Sequence, residues 1–304
     1  MLNNKGYVGA ATRVKVENSI KELDYRPNEV ARSLYKKQSK TIGLIVPDIM
    51  NPYFPELARA VEDIAVQLGY NVILCNSDED AEKEQRYLEI LQQKYIDGII
   101  VASNTLDAQT IFDLKIPVVS LDREISKDMP TIVVDNIKGA KMATLYLQKK
   151  GCRKIAHISG PKNIINANER TAGYREIVSN ETWFKESYIA NGCYKMEAAT
   201  DATLKLLTLH PEIDGIFAAN DTMAIGVIKA IHQLGLKIPE DVSVIGFDGI
   251  MLSKAITPEL TTIEQPIYEL GETAARMLIG LIAGKPLEKN YFKFDVKLLE
   301  REST

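Results

Sequence analysis

The chain has 304 residues, 45% of them hydrophobic, and a formal charge of -4. That supplies a large core, in one long α/β domain or two smaller lobes. The three cysteines, Cys75, Cys152 and Cys193, are odd in number and far apart. This excludes a disulfide framework or a cysteine metal site and points to the cytoplasm. No apolar leader opens the chain, and no apolar run approaches the length of a membrane span.

The charge is unevenly placed. Residues 1–40 hold nine basic and four acidic side chains, and the rest hold 28 basic and 37 acidic. A basic segment on an acidic body suits a polyanion partner; a solvated basic tail is the plainer reading.

In chain order, Ala10–Leu23 has a helical pattern with Val14, Ile20 and Leu23 on one face, capped by Thr12 or an earlier small residue. Pro27 suits the first turn of a short helix over Asn28–Leu34. Lys36, Lys37, Gln38, Ser39 and Lys40 read as a linker. Strand-like runs follow at Ile42–Val46, Val72–Cys75, Gly98–Ala102, Val118–Leu121, Ile132–Val134, Ile155–Ile158, Gly215–Ala218 and Val242–Ile245. Helical patterns at Glu56–Leu68, Glu82–Gln93, Lys138–Lys149, Arg170–Ser179, Ala198–Leu209 and Thr222–Leu234 lie between most of them. Such alternation implies parallel sheets flanked by helices. The pattern restarts near residue 150, which favours two similar lobes. Ligands then belong at the carboxyl ends of the strands.

The loops after the strands carry polar groups suited to a polyol. Asn51, Tyr53 and Phe54 follow the first strand, where an amide can bond hydroxyls and aromatic rings can cover a sugar face. The plain alternative is a helix start at Pro52 with two core aromatics. Asp122 and Arg123 follow the fourth strand, as ligand groups or as a surface ion pair. Arg170 opens a helix within reach of a cleft. Asp221 reads as the N-cap of the next helix, leaving Asn220 to face the cleft. Asp248 ends another strand region. Gln265 closes the stretch from Leu260, read as a crossover.

Catalytic and metal-binding arrangements do not emerge. His157, His210 and His232 lack ligand spacing, and there is no phosphate-binding glycine loop or nucleophile elbow. The chain reads as a non-enzyme without cofactor or metal.

The string Asn3, Gly6, Tyr7, Val8, Thr12, Arg13, Lys15, Val16, then Leu23, Tyr25, Arg26, Pro27, Asn28, Val30, Ala31, Arg32, Ser33 and Leu34 resembles the DNA-binding head of LacI/GalR-family transcriptional regulators. Gly43, Pro47, Asp48, Asn51, Pro52, Phe54, Ser159-Gly160-Pro161, Arg170, Gly173-Tyr174, Asn220-Asp221, Gly246-Phe247-Asp248 and Gln265-Pro266 extend that resemblance over essentially the whole chain. It implies a partial α-helical head and hinge helix over 1–40. Beyond these lies a two-lobed, periplasmic-binding-protein-like body of two parallel sheets flanked by helices. The lobes are expected at 41–135 plus 267–290 and at 136–266 plus 291–304.

By resemblance the protein is a homodimeric repressor of a palindromic operator, responding to a sugar, with a ribose operon the expected target. Asn51, Tyr53, Phe54, Asp122, Arg123, Arg170, Asn220, Asp248 and Gln265 are similar to the residues that hold ribose in binding proteins of this fold. Ala102 departs, since an Asn is expected there and Ser103 or Asn104 would have to substitute. Tyr7, Arg26, Asn28 and Arg32 are implied to contact DNA, and Leu34 to wedge a base step. Relative to the family the chain is expected to be N-terminally truncated, with Met1 and Leu2 at the end of the recognition helix. Specific operator binding is therefore expected to be weak. A catabolite control regulator with a phosphorylated carrier protein as co-effector, and a sugar-binding transport protein, are the alternatives.

Overall fold

The computed structural model describes residues 9–23, 38–102 and 105–304. The expected DNA-contacting residues Tyr7, Arg26, Asn28, Arg32 and Leu34 lie outside these, as do the hinge helix over Asn28–Leu34 and the pair Ser103 and Asn104. Helix α1 spans Ala10–Glu22, close to the expected range. Gly9 occupies its N-cap position without a side-chain bond, and none of its residues is buried.

The first lobe begins with β1 (Thr41–Val46), α2 (Tyr53–Gln67), β2 (Asn71–Asn76), α3 (Ala81–Gln93) and β3 (Gly98–Val101). It continues with α4 (Ala108–Phe112), β4 (Val118–Leu121) and β5 (Thr131–Val134). Two helices of this lobe, α3 and α4, start where an aspartate side chain takes up free N–H groups. Asp80, for instance, accepts from the backbone of Glu82 and Lys83. Residues Ile42, Leu44, Ile45 and Val46 of β1 are wholly buried, because helices cover both faces of the sheet. Each such side chain contributes roughly 1.5–3 kcal/mol of burial.

The second lobe holds α5 (Asn136–Lys149), β6 (Ile155–Ser159), α6 (Ile165–Val178), β7 (Ile189–Asn191) and α7 (Met196–Leu209). Then come β8 (Gly215–Ala218), α8 (Asp221–Gln233), β9 (Ser243–Asp248), α9 (Leu252–Ala255) and β10 (Thr261–Glu264). The chain returns to pack α10 (Ile267–Ile282) on α2, adds β11 (Tyr291–Phe294) to the first sheet, and crosses again to place β12 (Lys297–Leu299) in the second.

The two sheets run β11-β5-β4-β3-β1-β2 and β12-β10-β9-β8-β6-β7. All neighbours are parallel except β10 and β12. Both lobes therefore share one winding: the first strand of each lies between its second and third. That reversal opens a crevice at the carboxyl end of each sheet.

Two expectations are corrected here. Tyr291–Phe294, expected in the second lobe, pairs in parallel with β5 in the first, so the last crossing falls after Phe294. The stretch after Leu260, expected as a crossover, is instead strand β10, parallel to β9, and the crossing follows it. Helices α4, α9 and α10 and strands β7, β10, β11 and β12 have no counterpart among the expected elements.

Candidate functional site

A cavity of about 210 Å³ lies between the lobes at the facing strand ends. It is smaller than the roughly 300–1,000 Å³ of drug-sized ligand sites, so it suits a small solute. The lobes contribute to it in matched fashion. After the second strand of each come two consecutive residues with positive φ: Asp78 and Glu79 after β2, and Cys193 and Tyr194 after β7. At the end of the fourth strand of each stands an aspartate with positive φ: Asp122 at 69° and Asp248 at 116°. Six of the nine such non-glycine residues described thus surround one cavity. Backbone held in costly conformations gathers where a site must be shaped.

From the first lobe, Asn51 Oδ1 accepts from the Tyr53 backbone N–H at 3.2 Å and shapes the turn into α2. Tyr53 and Phe54 open that helix with their rings edge to face, centroids 5.0 Å apart. Both rings are buried, as the plain reading expects, and both line the cavity. The Tyr53 hydroxyl is buried without a hydrogen-bond partner. Burial, then the carboxylates of Asp122 and Asp248, push its deprotonation well above the ordinary range, so it remains a donor.

From the second lobe, Arg170 is anchored on three sides. Its Nε donates to Asn136 Oδ1 at 2.9 Å, and its Nη1 donates to the Ala219 carbonyl at 2.5 Å and to Asp248 Oδ1 at 3.3 Å. Its guanidinium lies 3.8 Å from the centre of the Phe247 ring. Gln265 Nε2 donates to the same Asp248 oxygen at 2.7 Å, while Gln265 Oε1 is buried without a partner. Asn166 bridges the lobes: its Nδ2 donates to Asp122 Oδ2 at 2.6 Å, and its Oδ1 accepts from the Tyr194 hydroxyl at 3.0 Å. Gly160 makes room for that tyrosine, since a Cβ there would stand 2.5 Å from its ring.

The electrostatics follow from the crowding. Burial pushes the Asp122 carboxyl up to about 7, against the pull of Arg170. Burial also raises Asp248, again opposed by Arg170 and by the bond from Gln265. The two acids can therefore accept from hydroxyls when ionised, or donate when protonated. Tyr53 adds a donor and Gln265 an acceptor. Donors and acceptors of this kind can hydrogen-bond the hydroxyls of a polyol. Among the described residues no cluster could hold a metal ion.

Eight of the nine expected pocket residues surround the cavity: Asn51, Tyr53, Phe54, Asp122, Arg170, Asn220, Asp248 and Gln265. Arg123 does not. Its Nη2 donates to the Leu106 carbonyl at 2.7 Å, and neither residue lines the cavity. Arg170 lies in the second turn of α6 rather than at its start. Asn220 lines the cavity as expected and also takes the N-cap role expected of Asp221, accepting from the Met223 N–H at 2.8 Å. Asp221 is wholly buried and accepts from the N–H groups of Gly249 and Ile250 and from the Thr262 hydroxyl, bracing the loop that carries Asp248. Gly246 leaves space for that brace, since a Cβ there would stand 2.2 Å from Asp221 Oδ1.

Asn166 and Tyr194 were not anticipated. Asn166 sits ahead of the expected helix start, and Tyr194 follows a three-residue strand with no periodicity to reveal it. His157 is structural: it is fully buried between the rings of Tyr174 and Phe217, and burial drives its pKa down to about 4.

Two similarly wound parallel lobes around an interlobe polar cavity define a two-lobed small-solute-binding protein. The chain belongs to the family of periplasmic binding proteins and sugar binding domains of LacI type, whose model matches residues 39–300. Several known proteins are similar to it. The ribose operon repressor of Halalkalibacterium halodurans is 46% identical over 304 residues, covering 100% of this chain and 91% of its own. The structure of a periplasmic binding protein/LacI transcriptional regulator from Alkaliphilus metalliredigens QYMF, complexed with D-xylulofuranose, is 36% identical with a TM-score of 0.79, covering 87% of this chain and 99% of its own. A LacI family regulator from Enterococcus faecium with bound ribose is 30% identical with a TM-score of 0.78, covering 87% and 98%.

Proposed function

We propose that the chain is a sugar-responsive transcriptional repressor whose affinity for operator DNA is set by a sugar, ribose or a close relative, bound between the lobes. It acts without enzymatic turnover, as a homodimer in the cytoplasm. The observation that carries the reading is the pair of buried, unpartnered polar atoms at the cavity, Tyr53 Oη and Gln265 Oε1. An unpaired buried polar group costs about 1–3 kcal/mol, and a polyhydroxy ligand satisfies both. The ribose operon repressor and the ribose-bound regulator named above support the choice of sugar.

The mechanism follows from where the ligand sits. A sugar reaching Asp122 in one lobe and Arg170 and Asp248 in the other binds best when the lobes are together. It can shift the lobes only by that differential affinity. If operator DNA prefers one lobe arrangement, sugar and operator are linked by a coupling free energy that acts equally in both directions.

The test is thermal melting of the purified chain with a panel of sugars. Ribose should raise the melting temperature progressively with concentration, as mass action on the folded state requires. A shift with another sugar and none with ribose removes the ribose assignment and leaves the sensor. No shift with any sugar removes the sensor itself.

A further inference from the structure

We infer that Asn136 is a positioning residue: it fastens Arg170 to the first crossing between the lobes, so that a ligand held by Arg170 also sets the angle at that crossing. This deepens the sensor reading above, on which it rests, by naming a residue outside the cavity that regulates it.

Among the described residues the chain crosses between the lobes three times, after β5, after β10 and after β11. Asn136 is the first residue of α5, one position past the Asp135 cap that ends the first crossing. It does not line the cavity, and it is only 2% exposed. Both ends of its amide are spent on consecutive residues of α6. Oδ1 accepts from Arg170 Nε, and Nδ2 donates to Glu169 Oε2, each at 2.9 Å. This pair explains the residue type. An amide offers an acceptor to the guanidinium and a donor to the carboxylate, where an aspartate would repel Glu169 and an alkyl chain would satisfy neither.

The same turn of α5 supports Arg170 from below. The guanidinium lies on the Phe247 ring, and a Cβ at Gly139 would stand 2.6 Å from that ring. A Cβ at Gly173, in the next turn of α6, would stand 2.5 Å from the Ile137 carbonyl oxygen. The start of α5 and the body of α6 are therefore packed without a gap and move together. The first crossing is also tied to the third. The Asp135 N–H donates to the Phe294 carbonyl at 3.1 Å, and Asp135 and Lys138 pair with Lys293 and Asp295 at 2.7 and 2.6 Å. The second crossing reaches the same arginine through Gln265 and Asp248. Supports of this kind hold a binding side chain to its working geometry. Any displacement of Arg170 must be shared by Asn136, because losing their bond leaves a buried polar group unpaired.

The test is titration calorimetry of the full chain with ribose, for the unaltered protein and three variants. Asn136→Ala should bind ribose at least about tenfold more weakly, the loss that a hydrogen bond to a charged group carries. Asn136→Asp keeps the acceptor for Arg170 and should stay within about threefold of the unaltered affinity. Tyr174→Phe is the structural control, since it removes a buried hydroxyl of the same helix that donates to the Ile155 carbonyl at 2.7 Å. It should lose stability and keep ribose affinity within about threefold. Hydrogen exchange of the unaltered chain reads the transmission without any substitution. Ribose should slow exchange of the amides at 135–139 more than of those at 279–282, in the last turn of α10.

Undiminished ribose affinity in Asn136→Ala would overturn the inference and leave the sensor reading in place. So would a loss in Asn136→Asp or Tyr174→Phe as large as that in Asn136→Ala, since the effect would then be a general weakening of the lobe. If Asn136→Ala does not fold, the exchange measurement decides, and unchanged protection at 135–139 overturns the inference. Failure of ribose and of other neutral pentoses to bind the folded, unaltered protein would overturn the sensor reading and this inference with it.

Discussion

Asp122 of the first lobe and Asn166 of the second meet at 2.6 Å, the amide of one closing on the carboxylate of the other across the cleft. Asp122 is a cleft-facing carboxylate at the end of its sheet, and Asn166 is held in turn by the Tyr194 hydroxyl. The contact thus ties the two lobes together at the edge of the cavity.

Asp122→Asn tests the charge while keeping the shape, because asparagine tolerates the positive φ of 69° found there. The variant should fold with nearly unchanged stability. Its affinity for the sugar should fall about 10- to 100-fold, the worth of a hydrogen bond to a charged partner. Calorimetry would measure this, and an undiminished affinity would remove Asp122 from the ligand site.

Arg170→Met removes the cation that faces buried Asp248, which is only 4% exposed. Breaking one partner of such a pair typically costs about 3–5 kcal/mol. Chemical denaturation should show a loss of that order, tempered by the apolar bulk retained over Phe247. Sugar binding should be lost as well.

Arg123→Ala separates the two placements of this residue. The geometry directs its guanidinium to the Leu106 carbonyl, outside the cavity. The variant should lose about 1 kcal/mol of stability and keep sugar affinity within about threefold. A loss of tenfold or more would restore the ligand role that sequence resemblance implies.

The pH dependence has a definite sign. Burial raises Asp122 to about 7 in the folded protein. Its contribution to stability is therefore complete at low pH and lost as pH rises through 7. His157, lowered to about 4, acts oppositely below its ordinary 6.5. Between about pH 6.5 and 8 the ligand-free protein should thus lose melting temperature as pH rises. Sugar hydroxyls donating to Asp122 favour its anion. Binding should then release protons near neutral pH, and affinity should fall as pH drops from 8 to 6. Calorimetry in buffers of different ionisation enthalpy would reveal the proton release.

What was legible in the chain tracks physical cause. Parallel strands buried on both faces read as continuous apolar runs, so β1, β3, β4, β5, β6 and β8 were placed within a residue or so. Strand β10 was missed because Thr261 and Thr262 are polar, their hydroxyls spent on Thr304 and Asp221 inside the protein. The start of α6 was missed because Asn166 and Arg170 stand buried where periodicity asks for apolar residues. A functional face interrupts the pattern that reveals a helix.

Sequence by itself determined the two-lobed α/β class and eight of the cavity residues, because strand ends are local features and ligands gather beside them. Tertiary structure alone decided which residues meet across the cleft. It turned Arg123 away, made Asn220 the cap and Asp221 the brace, and brought Asn166 and Tyr194 to Asp122. Those choices depend on contacts between residues far apart in the chain, as the separation of 44 positions between Asp122 and Asn166 shows, and no local pattern carries that information.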